Sequence, residues 1–112
     1  MSAPTDLKAG GRGRAFYENV AGEFELKADE AELLAEVARM LDLLDALREA
    51  AEDGPMIVDA KGNLVVHPAL VEARQVREAV RKSLHALALP DEQGETTRSR
   101  SAREAARARW GT

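Results

Sequence analysis

A chain of 112 residues that is 45% hydrophobic but only 4% aromatic has room for one domain with a thin core. It holds no cysteine, which excludes disulfide frameworks, thiolate zinc sites and cysteine nucleophiles. The net charge of −4 conceals a division: residues 23–53 carry eleven acids against three bases, a balance of −8, and residues 98–109 carry five arginines against one glutamate, a balance of +4. An acidic middle and a basic end point to head-to-tail contacts or a charged partner, not to a protein that coats nucleic acid uniformly. Oligomerisation is the expected remedy for a small core without disulfides. No apolar run approaches the ~18 residues of a membrane span, and the opening MSAPTDLKAGGRGR lacks a signal peptide's apolar stretch, so a cytoplasmic location is expected.

In chain order, residues 1–13 are polar and contain Gly, Ser and Pro, the composition of a flexible arm. Arg14 to Val20 predicts a short helix with Phe16, Tyr17 and Val20 on one side, too brief to stand without a larger element beneath it. A long helix follows over Asp29–Glu52, about 36 Å at ~1.5 Å per residue, with Asp29, Glu30 and Glu32 at the positive end of its dipole. Leu33, Val37, Met40, Leu44, Leu47 and Ala51 recur with the rhythm of a coiled-coil seam. Leu34, Leu41 and Leu43 widen the apolar face beyond that seam and are assigned to contact with a second copy. Asp53-Gly54-Pro55 ends the helix.

MIVD and LVVH around AKGN read as a β-hairpin near 56–67, marginal by itself and expected to pack on the helices or pair with a neighbouring subunit. Pro68 opens a second long helix and holds His67 extended. Ala69, Ala73, Val76, Val80, Leu84 and Leu87 form its stripe, which runs back antiparallel along the first helix to Leu89-Pro90-Asp91. DEQGETTRSR is a polar linker, and SAREAARARW can be helical with Ser101 and Glu104 in capping-box spacing. The reading is therefore mainly α: a flexible arm (1–13), a helical oligomerisation core (14–90) built as a long antiparallel helical hairpin around a short β-hairpin, and a linker with a basic docking tail (91–112).

His67 and His85 have no metal-ligand spacing and read as a helix-start and a surface histidine. The four serines lack a nucleophile-elbow context, and Gly10, Gly11 and Gly13 neither follow a strand nor lead into a GK[ST]. No catalytic residue, metal site or cofactor is expected. The cations are more informative. Arg74, Arg77 and Arg81 fall in a narrow arc beside the apolar stripe. Either Glu36, Asp42 or Asp45 on the facing helix absorbs them, or they form a row that receives phosphates. Lys82, Arg12 and Arg14 complete the candidate DNA-binding set. In the tail, Arg98, Arg100, Arg103, Arg107 and Arg109 lack local acids, and Trp110 adds an anchoring group; the segment is either solvated or a docking element.

The order of these features resembles the small subunit of bacteriophage terminase. The resemblance covers roughly residues 14–110 and is carried by AFYENVAGEFEL, ELLAEVARMLDLLDAL, the glycine hairpin followed by HPALVEAR, the LHALALPDE close and the arginine-rich end. It implies a non-enzymatic, ring-forming homo-oligomer, encoded by a phage or prophage and working in the host cytoplasm. Such a protein binds viral double-stranded DNA and recruits or regulates the large terminase subunit, the ATPase-nuclease of genome packaging. Many such subunits carry a helix-turn-helix domain ahead of the core. About 27 residues precede the long helix here, so major-groove reading of sequence is not expected. The competing reading is a non-catalytic helical-hairpin scaffold or antitoxin-like module that pairs only with protein.

Overall fold

The computed structural model describes residues 3–89. The linker and docking tail expected over 91–112, with Arg98, Arg100, Arg103, Arg107, Arg109 and Trp110, lie outside the described residues. The elements are α1 (Arg12–Glu23), α2 (Ala28–Ala50), β1 (Met56–Val58), β2 (Leu64–Val66) and α3 (Pro68–Leu87), a mainly helical arrangement with a small antiparallel hairpin between the long helices.

α2 begins where the Lys27 N–H donates to Glu30 Oε1, with Asp29 and Glu30 in its acidic first turn. It closes just before Gly54, which sits at φ 144°, and Pro55 forbids its continuation. α3 starts from Pro68, and the His67 Nδ1 accepts the Ala69 N–H at 3.0 Å, so the histidine side chain is the helix cap. Val37, Leu41 and Leu44 of α2 pack on Ala73, Val76 and Val80 of α3, while Leu87 at the far end of α3 joins Leu34 and Ala38. That register makes the two helices antiparallel, as their stripes predict. α1 lies across α2 through Tyr17 and Val20. The short aromatic helix therefore finds the larger element it needs.

Two expectations require correction. First, residues 3–11 are packed rather than free: Ala3 and Leu7 are buried in the α1–α2 core, and α1 begins at Arg12. Second, Leu34 and Leu41 cannot form a surface for a second copy, because the protomer already buries them. α1 and the leading segment cover Leu34, and α3 covers Leu41. Of the three leucines only Leu43 is exposed. Of the two places expected for the hairpin, its own helices or a neighbouring subunit, the first is not taken, since it makes little contact with those helices. Its strands pair Met56 with Val66, Ile57 with Val65 and Val58 with Leu64, and only the Ile57–Val65 side is half-buried. The turn itself is well fixed: Asp59 Oδ1 accepts the Lys61 and Asn63 N–H groups at 2.9 Å, and Gly62 takes φ 82°.

Candidate functional site

α3 brings Arg74, Arg77 and Arg81 to one side, as positions i, i+3 and i+7 require. Together with Gln75, Glu78, Val80 and Leu84 they line an open trough of about 810 Å³. Its walls come from this single helix, so it does not enclose a small molecule; it offers a cationic rim along an apolar floor. All three arginines are exposed. Lys82 is exposed too but does not line the trough.

The acids that sequence spacing offered to these arginines are engaged elsewhere. Asp42 accepts the Lys8 N–H at 3.0 Å and the Gly13 N–H at 2.9 Å, Asp45 pairs with Arg12 at 2.9 Å, and Glu36 pairs with Arg39 at 3.4 Å. Arg81 turns instead to Glu78, one turn back on its own helix, at 2.6 Å. This hydrogen bond holds the Glu78 carboxyl below the usual carboxylate range, so the pair is intact at neutral pH and weakens as acid protonates the glutamate. The side chains of Arg74 and Arg77 make no ion pair or hydrogen bond with any described residue.

Arg12 and Arg14 do not join the α3 row. Arg12 bridges to Asp45 and reaches the Leu41 carbonyl, and an Arg14 Nη donates to the Leu7 carbonyl at 3.0 Å while its Nε is shielded from solvent. They fix the leading segment to α2. The same segment is clamped by Arg39, which pairs with Asp6 at 2.7 Å; this contact lowers the Asp6 carboxyl from its ordinary range. The Asp6, Asp42, Asp45 and Arg39 set was not legible from spacing, because its partners lie about thirty residues apart and half its donors are backbone groups.

His67 is a helix cap and His85 an exposed residue of α3. Among the described residues no three His, Asp or Glu side chains converge on a common point, and no helix is long and apolar enough to cross a membrane. The structure also exposes an apolar hairpin face, Met56, Val58, Leu64 and Val66, on the element expected to pack on the helices or pair with a neighbouring subunit. A signal was present: MIV and LVV are apolar on both faces, the pattern of strands covered from both sides. No protein-family model, curated protein or solved structure matches this chain.

Proposed function

We propose that this chain is a terminase small subunit: a homo-oligomeric adaptor that holds viral double-stranded DNA by its backbone and recruits or regulates the large ATPase-nuclease subunit. One observation carries the DNA-binding part. Arg74 and Arg77, with Arg81 beside them, form a row on α3 that no acid of the facing helix neutralises. From Arg74 to Arg81 the helix rises about 10 Å, the axial length of roughly three phosphates along one strand. Arginine suits this task because its planar fork meets a phosphate at two points. In this reading the row meets phosphates and not base edges, so affinity is general for duplex DNA, with little sequence preference. The order of helix, hairpin, HPALVEAR and basic end supports the packaging context, in which the basic tail docks the large subunit.

The test is duplex DNA binding by fluorescence anisotropy across salt concentrations. The unmodified chain should lose affinity steeply as salt rises. Arg74→Ala, Arg77→Ala and Arg81→Ala combined should flatten the slope of log K against log salt by about two to three. An equal loss at every salt concentration would point to damaged folding. No affinity even at low salt would defeat the DNA reading and favour a scaffold that pairs only with protein.

A further inference from the structure

The row on α3 holds a carboxylate as well as its three guanidinium groups. Glu78 follows Arg77 directly, stands one turn after Arg74 and one turn before Arg81, and lines the same trough. It meets Arg81 through two hydrogen bonds: Nε donates to Oε2 at 3.1 Å and Nη2 to Oε1 at 2.6 Å. The side-on edge of that guanidinium is therefore filled, and only its Nη1–Nη2 end stays open. Both members of the pair are exposed, and an exposed pair one turn apart adds little to stability. Its weight falls instead on what the face can hold.

We propose that Glu78 sets the grip of the row: it withholds Arg81 from the DNA backbone, so each copy of the chain holds two phosphates and not three. The inference deepens the DNA-binding part of the reading above and rests on it. A phosphate that approaches Arg81 finds the two-point edge taken by the carboxylate. If it uses the open end, it stands beside a full negative charge, well inside the ~8 Å over which physiological salt leaves exposed charges unscreened. If it displaces the carboxylate, it frees that charge beside Arg74, one turn back. Either route sets the repulsion of one carboxylate against the attraction of one guanidinium. Arg74 and Arg77, whose side chains pair with no described residue, meet no such opposition.

The contact with Arg81 and, more weakly, the charge of Lys82 hold the Glu78 carboxyl below its ordinary range, so it is charged at neutral pH. The other acid of α3 does not share this place. Glu72 is exposed and unpaired, yet at about 100° per residue it sits about 160° round the helix from Arg74, away from the row. Each duplex phosphate neutralised contributes about 0.9 to the slope of log K against log salt. A row of two contacts is left more readily than a row of three, and differences of this kind fall mainly on the off-rate. An adaptor past which duplex DNA must travel is served by the looser grip.

The test uses the full-length chain unmodified, with Glu78→Gln, with Arg81→Ala and with both, and Glu72→Gln as the charge control. Glutamine and glutamate are similar helix formers, so melts of the two glutamine variants should coincide. In anisotropy titrations of duplex DNA, Glu78→Gln should steepen the slope by about 0.9 and raise low-salt affinity about threefold to tenfold. Arg81→Ala alone should leave the slope unchanged, and in the Glu78→Gln background it should cancel the gain. Glu72→Gln should not move the slope. A drop of about 0.9 from Arg81→Ala alone would show that Arg81 already holds a phosphate, and would overturn the proposal. Equal gains from the two glutamine variants would overturn it as well, since net charge would then explain both.

NMR of the arginine Nε groups with inorganic tripolyphosphate separates this inference from the reading it rests on. Arg74 and Arg77 should shift in the unmodified chain, and Arg81 should join them only in Glu78→Gln. That pattern without DNA affinity would defeat the DNA reading and leave the role of Glu78 standing. DNA affinity with all three arginines shifting in the unmodified chain would do the reverse. No shift at any of the three would also overturn the inference.

Discussion

Asp42 sits in the middle of α2, yet it caps a different helix. Gly11, the residue before α1, has no side chain to accept the N–H groups left open at the helix start, and Asp42 Oδ1 takes the Gly13 N–H in its place. Gly13 is needed for the same approach, since a Cβ there would run into the Ala38 carbonyl oxygen and the Asp42 carboxylate. Asp45, one turn on, makes only an exposed pair with Arg12, with side chains 43% and 47% accessible. The two carboxylates therefore differ in energetic weight. Asp42→Ala should cost about 1–2 kcal/mol and Gly13→Ala about 1–3 kcal/mol, whereas Asp45→Ala should fall within about 1 kcal/mol. In thermal melts the first two should lower Tm by at least about 4 °C. Equal effects at Asp42 and Asp45 would show that the backbone cap adds nothing beyond surface charge.

At the scale of elements, His67 joins strand to helix. Its N–H donates to the Pro55 carbonyl at 2.8 Å and closes the base of the hairpin, and its Nδ1 caps α3. His67→Ala should cost about 0.5–2 kcal/mol, and His67→Asn should recover most of that loss because asparagine also caps; matching melts for the two variants would remove the cap from the account. This junction was legible in advance, since proline after histidine fixes an extended residue followed by a helix start. The α2 and α3 stripes were legible for a similar reason: their period names the buried face without reference to any partner. Periodicity does not say which neighbour covers a flank. Leu34 and Leu41 show the limit, because a face broader than one seam fits a second copy and an extra local helix equally well, and here α1 with residues 3–11 and α3 take it. The leading segment was misread because GGRGR has the composition of a loose arm, while its glycines permit close packing on α2. For the α3 arginines, spacing placed the row correctly on one side but could not decide the competition for Asp42 and Asp45, which backbone N–H groups and Arg12 win.

For the molecule as a whole, the described core and the basic end of the sequence differ in charge. Every buried residue of the two described core clusters falls between Ala3 and Leu87. The last seventeen residues, 96–112, hold five arginines, one glutamate and Trp110, a balance of +4. Removing them takes the net charge from −4 to −8 and leaves α1, α2, the hairpin and α3 with all their mutual contacts. Self-repulsion then rises only modestly at physiological salt, where exposed charges more than about 8 Å apart are largely screened. Deletion of residues 96–112 should leave the thermal melt and the number of copies in the native assembly unchanged. Under the proposed function it should abolish stimulation of a large subunit's ATPase, because arginine and tryptophan are residue types that anchor such contacts. Binding to duplex DNA should persist through the α3 row, at an affinity reduced by the lost tail charge. A truncated chain that assembles and still stimulates the ATPase fully would remove the tail from the docking role and return that role to the surface of the core.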